Sequence, residues 1–172
     1  MQKSTTRILG IDPGSRITGF GVIDVTGADA VLVEAGNIRC KDGDFNSRLK
    51  HIYNSVHALI GRLSPDQMAV EQVFVSQNAG SALKLGAARS AAICASFDYD
   101  LTVTDYAPRE IKQAVTGTGA AAKEQVQHMM RAILKLRGDL QADAADALAV
   151  ALCHANSRRM NDRVAKALAK RA

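Results

Sequence analysis

Tryptophan is absent from this 172-residue chain, and phenylalanine occurs only four times. An aromatic outside a core segment is therefore conspicuous, and Phe74, in the polar loop from Gln72 to Asn78, is the one that stands out. Cysteine is equally sparse. Cys40, Cys94 and Cys153 are odd in number, widely spaced and without a CxxC pair, which argues against a zinc site or a redox motif. Cys94 and Cys153 lie in alanine-rich apolar contexts and read as small core residues. His51, His57, His128 and His154 are scattered and read as helix-surface or packing residues. No apolar run approaches the roughly 18 residues of a membrane span. The polar start, Met1 to Thr6, lacks the apolar stretch of a signal peptide, so a cytoplasmic protein is expected.

A charge of one sign is also missing from most of the chain. The net charge is +5, but six bases and one acid lie beyond Ser157, and residues 1–156 balance at 16 bases and 16 acids. The expected organisation is one domain over 1–156, followed by a basic tail over 157–172. Such a tail is usually solvated, and disorder is one reading of it. DNA binding by the body must rest on particular residues.

Short apolar strands and helical periodicities organise the rest. Ile8 to Ile11 is nearly all apolar and reads as a strand buried on both faces, ending in Asp12 and the turn Pro13-Gly14-Ser15. Thr18 to Val25 and Ala30 to Ile38 follow as strands of an antiparallel meander. Asp44 to Leu63 has helical spacing, and Ser64-Pro65-Asp66 stops it. Gln67 to Glu71 repeats the opening pattern, an apolar strand ending in an acid, and the helix before it suggests a place beside the first strand. An alanine-rich helix from Ala79 to Phe97, a strand from Leu101 to Tyr106, and helices at Pro108 to Ala114, Lys123 to Leu136 and Asp143 to Ala155 complete the body. The fold class is α/β: a five-stranded mixed sheet with helices on both faces.

Four acids then stand apart. Asp12 and Glu71 end strands expected to be neighbours, and Asp143 and Asp146 share one face of a helix start. Three of them have a plain alternative: Asp12 as a turn residue or partner of Arg16, Asp143 as an N-cap and Asp146 as a first-turn acid favoured by the helix dipole. As a set they are harder to explain away. Like charges about 4 Å apart repel by roughly 4 kcal/mol at an effective dielectric near 20. A cluster of four would be a liability without divalent cations. Carboxylate oxygens with open water positions suit Mg²⁺, and two such ions can promote phosphodiester cleavage.

The segments Gly10-Ile11-Asp12-Pro13-Gly14-Ser15-Arg16, Glu71-Gln72-Val73-Phe74, Ser81-Ala82-Leu83-Lys84-Leu85-Gly86, Val126-Gln127-His128 and Ala142-Asp143-Ala144-Ala145-Asp146-Ala147-Leu148 together resemble the RuvC family of Holliday-junction resolvases, in order and at family-like spacing from about Ile8 to His154. The resemblance implies an RNase H-like fold, a homodimer, and symmetric nicking of two opposing strands of a four-way DNA junction during recombination and repair. It implies Mg²⁺, two ions per subunit, with Mn²⁺ as a substitute, and RuvA and RuvB as branch-migration partners. It makes Asp12, Glu71, Asp143 and Asp146 the catalytic, metal-binding acids, Phe74 a DNA contact near the junction centre, and Lys112 and Lys123 lysines near the scissile phosphate. Lys84 and Arg89 are further DNA-binding candidates, with a solvated role equally open. Two departures from the family pattern are Ala122, where relatives often carry an acid, and Arg137-Gly138 in place of a proline-containing turn. An actin-like or sugar-kinase-like ATPase also opens on a Gly-x-Asp-x-Gly turn, but needs a longer chain and a second phosphate loop. A non-catalytic junction-binding module would have no use for the acids.

Overall fold

In the computed structural model, which describes residues 4–41, 43–73 and 78–169, β1 (Thr6–Asp12), β2 (Ile17–Thr26) and β3 (Asp29–Arg39) form an antiparallel meander. Helix α1 (Phe45–Leu63) crosses to β4 (Gln67–Glu71), parallel to β1, and α2 (Ala79–Cys94) crosses to β5 (Thr102–Tyr106), parallel to β4. Helices α3 (Pro108–Thr116), α4 (Lys123–Ile133) and α5 (Ala142–Ala169) follow. The sheet order is β3-β2-β1-β4-β5, and the meander and the β1–β4 pairing are as expected.

Period-2 alternation divides β1 between two cores. Leu9 and Ile11 join Ile52, Val56 and Ile60 of α1 on one face, with Met68, Val70, Ala88 and Ala92. Ile8 points to the other face, where Ile111, Val126, Met130 and Leu148 pack. Gly10 and Asp12 share that second face with Ile8. Helix α1 starts where the Asp44 carboxylate accepts the Ser47 N–H at 2.7 Å and stops where Ser64 turns left-handed at φ 47°.

Helix α5 lies on the second face and is buried on every side from Ala147 to Ala155. A helix apolar all round must be enclosed: the sheet covers one side, and α3 and α4 flank it. Close approach requires that nothing project from the strands beneath. A Cβ at Gly10 would collide with the Ala147 carbonyl, and one at Gly19 with the Asp143 carbonyl. The glycines and alanines thus set the height of α5 above the sheet.

Several boundaries differ from expectation. Helix α2 ends at Cys94, and Phe97–Tyr99 form a 3-10 turn instead of its continuation. Cys94 is consequently exposed rather than in the core, whereas Cys153 is buried, which pushes its thiol up to about 11. Helix α4 ends at Ile133 rather than Leu136 because Lys135 turns left-handed at φ 53°. His154 is a buried packing residue whose ring nitrogens meet the Tyr106 hydroxyl and Gln67 Oε1, each at 2.9 Å. Helix α5 does not end at Ala155 but continues to Ala169, so the described part of the basic tail is helical rather than disordered. Its Arg158, Arg159, Arg163 and Lys166 line a cleft of about 560 Å³ with Gly27 and Ala28 of the β2–β3 turn. No helix among the described residues is long and apolar enough to cross a membrane.

Candidate active site

One transverse row of the sheet holds the site. Asp12 on β1 pairs with Gly19 on β2, and Gly19 pairs with Asn37 on β3. On the other side β1 and β4 are in register through Ile11 and Val70, so Glu71 follows beside Asp12, and Glu71 pairs in turn with Tyr106 on β5. Directly paired residues share a face, so Asn37, Asp12 and Glu71 all stand on the α5 side. The start of α5 sits over Gly19 and brings Asp143 and Asp146 down onto the row. This is the carboxyl end of the parallel strands β1 and β4, where open α/β sheets place their ligands.

The turn that delivers α5 is made by the residues that depart from the family pattern. Gly138 takes φ 95°, and Arg131 donates to the Gly138 carbonyl and to Asp139 at 3.2 Å. The Gln141 carbonyl then accepts the Ala145 N–H at 2.9 Å, the first intrahelical bond. Asp143 therefore lies inside the first turn and is not the N-cap, which corrects the capping alternative. Its Oδ2 accepts from Asn37 Nδ2 at 3.0 Å. The turn alternative for Asp12 is also set aside. Thr18 Oγ1 closes that turn by donating to the Gly14 carbonyl at 2.8 Å, and among the described residues no ion pair joins Asp12 to Arg16. The other departure, Ala122, has no side-chain cap to offer α4, and Gln125 Oε1 accepts the Ala122 N–H at 2.8 Å instead.

A cavity of about 110 Å³ is lined by Asp12, Glu71, Lys112, Lys123 and Asp146, with Pro108, Ile111 and Val126 as its apolar wall. Burial raises Asp12, and the neighbouring Glu71, Asp146 and Asp143 raise it further, to about 8. Burial likewise raises Glu71 and Asp146, while Lys123 acts to lower both. Lys123 Nζ stands 3.4 Å from Asp146 Oδ2, and that carboxylate raises the ammonium in turn. Among the described residues, no three His, Cys, Asp or Glu side chains already converge as ligands of one ion. Asp12 and Glu71 are within hydrogen-bonding reach of each other, and Asp146 is turned toward Lys123.

The remaining candidates divide. Lys112 and Lys123 join the acids. Arg89 does not: it is tied to Asp105 on β5 and lines a separate cavity of about 700 Å³ with Gln72, Val73 and Leu83. Lys84 is exposed on α2, away from the row. Phe74 lies outside the described residues. Asn37 is the member of the row that sequence reasoning missed. A lone amide in an alternating strand carries no signal until strand order and register place it beside Asp143.

The profile of crossover junction endodeoxyribonuclease RuvC matches residues 8–154. The chain is 57% identical over 155 residues to the crossover junction endodeoxyribonuclease RuvC of Chromohalobacter salexigens, covering 90% of this chain and 83% of that one. It is 56% identical over 154 residues to the same enzyme of Photobacterium profundum, covering 90% and 89%. The structure superposes on T. thermophilus RuvC in complex with a Holliday junction substrate with a TM-score of 0.85 and 36% identity, covering 91% of this chain and 96% of that one. The five-stranded mixed sheet is thus the RNase H-like arrangement that the resemblance implied. A match across nearly the whole folded body means that the chain belongs to the RuvC family of crossover junction endodeoxyribonucleases.

Proposed function

We propose that this protein resolves four-way DNA junctions by metal-dependent hydrolysis of one phosphodiester in each of two opposing strands. The observation that carries this reading is the acidic row: Asp12 and Glu71 side by side on parallel strands, with Asp143 and Asp146 lowered onto them by α5. The donor set fits Mg²⁺ or Mn²⁺. It consists of carboxylates, of which Asp12, Glu71 and Asp146 are driven toward protonation by burial and then by their acidic neighbours, which a divalent cation would reverse. Asp12, Glu71, Asp143 and Asp146 would hold two ions per subunit. Bound there, they would supply Lewis-acid activation of the attacking water and stabilise the leaving oxygen.

The rest follows from side chains of this chain. Lys112 and Lys123 flank the cavity and bring positive charge to the scissile phosphate. Burial of the row against Ile111 and Val126 lowers the local dielectric and strengthens each of these interactions. Phe74 is proposed to stack on a base near the junction centre, a contact worth about 1–3 kcal/mol. Paired nicks need paired sites, so a homodimer is part of the proposal, with the small-residue helix α2 and its exposed Leu83 as the contact. Lys84 and Arg89 would then serve DNA only along that helix. Action on recombining DNA in the cytoplasm, together with RuvA and RuvB, completes the reading.

The test is cleavage of a synthetic four-way junction and of a linear duplex of the same sequence, with and without Mg²⁺. Paired nicks confined to the junction, and only with Mg²⁺, are expected. Equal cutting of both substrates would mean a general nuclease, and binding without cutting would mean a junction-binding module.

The basic face of α5 adds a second expectation. Truncation after Ala155 should leave the fold intact, since Arg159 to Ala169 are exposed and Asn156 to Arg158 only half-buried, while the buried stretch of α5 ends at Ala155. It should weaken non-specific DNA binding and reduce the salt slope by roughly 0.9 for each phosphate that the tail no longer neutralises. Titration of a labelled duplex at several salt concentrations reads this directly. An unchanged slope would remove the tail from DNA binding.

A further inference from the structure

We infer that Asn37 is a positioning residue for the metal site: it holds the Asp143 carboxylate in ligating orientation. This rests on the metal-dependent reading above. Asn37 occupies the same transverse row as Asp12, with only Gly19 between them, and Asp143 sits over that glycine. Asp143 is thereby flanked by a carboxylate on one side and an amide on the other. The amide donates from Nδ2 to Asp143 Oδ2 at 3.0 Å. Its orientation is not arbitrary, because a carboxylate only accepts and the opposite rotamer would set two acceptors against each other. With Oδ2 engaged, the other oxygen of Asp143 is free for an ion. This is the outer-shell arrangement that orients a ligating carboxylate.

A purely structural role for Asn37 is poorly supported by its own contacts. Its Oδ1 is buried and has no hydrogen-bond partner among the described residues. A buried acceptor left unpaired costs about as much as one hydrogen bond gains, so the amide adds little to the fold in the absence of metal. Its return comes through Asp143. Without the amide, Asp143 keeps its charge but has nothing to fix its rotamer, and metal affinity falls while the fold stays.

Asn37→Ala and Asn37→Leu test this, the second preserving side-chain volume in case the first disturbs packing. Mn²⁺ affinity is measured on the full chain without DNA, by titration calorimetry and by the rise of melting temperature with Mn²⁺ concentration. The expected result in both variants is a dissociation constant for Mn²⁺ raised about tenfold or more, as for other outer-shell partners of metal ligands, with the metal-free melting temperature nearly unchanged. Wild-type Mn²⁺ affinity in both variants would overturn the inference while leaving the metal site standing. So would a fall in metal-free melting temperature with no change in affinity, since that is the signature of a packing role. Absence of any Mn²⁺ effect on the wild-type protein would overturn the metal-dependent reading and this inference with it.

Discussion

Asp143→Asn is expected to bind four-way junctions like the wild type and to cleave them more than about a hundredfold more slowly, a larger loss than the 10- to 100-fold typical of outer-shell changes. The substitution keeps an oxygen that can accept from Asn37 Nδ2 and removes only the charge. Stability should barely move. Asp143 is inside the first turn of α5 rather than at its N-cap. Losing its interaction with the helix dipole costs about 0.3–1 kcal/mol. Relief of repulsion with Asp12 and Asp146 offsets that. The checks are strand nicking on a denaturing gel, junction binding by anisotropy, and a thermal melt without metal. Normal cleavage by Asp143→Asn, combined with a destabilised Asp143→Ala, would assign Asp143 to the helix end and remove it from the chemistry. Glu71→Gln should behave like Asp143→Asn, since both would act within one site.

The second large effect is on stability against pH in the metal-free protein. Asp12 is raised from its ordinary 3.8 to about 8 by burial and by its acidic neighbours, so the native state holds a proton that the unfolded chain has released. The stability associated with that proton is complete below pH 4 and is lost as pH rises toward 8. Glu71 and Asp146 shift in the same direction. His154 works in the opposite sense. Burial lowers it to about 4, so protonating the unfolded chain costs native stability below about pH 6.5. The clean window is therefore from pH 6.5 to about 8.5. There the wild-type melting temperature should fall with pH, and Asp12→Asn should be flatter and more stable. An amide at position 12 also keeps a donor for Glu71. Across the whole range the Asp12 contribution is on the order of 5 kcal/mol, and about 2–4 °C of melting temperature accompanies each kcal/mol in a chain of this size. Saturating Mg²⁺ should flatten the wild-type profile as well, because an ion replaces the proton. Parallel profiles for wild type and Asp12→Asn would show that the row carries no such proton.

Much of this architecture was legible in the order of residues. Ile8 to Ile11 and Met68 to Val70 read as short apolar strands, and the α1 stripe at Ile52, Val56, Leu59 and Ile60 as one side of a helix, and the structure has both. Both patterns are local consequences of period and polarity. The helix ends were less legible. The left-handed turn at Lys135 and the 3-10 turn at Phe97 depend on how the chain leaves a packed surface, and no residue there announces it. The extension of α5 through the tail is hidden for a different reason. Arg158 to Lys166 read as charges on a solvated segment, although charged residues do not interrupt a helix already nucleated by the buried turns before them.

The site divides along the same line. The four acids were marked by the sequence as a set, because two end strands expected to be neighbours and two share one face of a helix start. Lys112 and Lys123 stood out only through a family resemblance, and the fold then placed them on the cavity wall. Which acids meet, how high α5 rides, and what Asn37 does were decided by tertiary structure. The register of β1 with β2 and β4 sets the row, and the missing side chains at Gly10 and Gly19 let the helix reach it. Chemical type and local period are properties of neighbours along the chain. A hydrogen bond between residues 37 and 143 is a property of strand order and packing distance, which exists only once the sheet has closed under the helix.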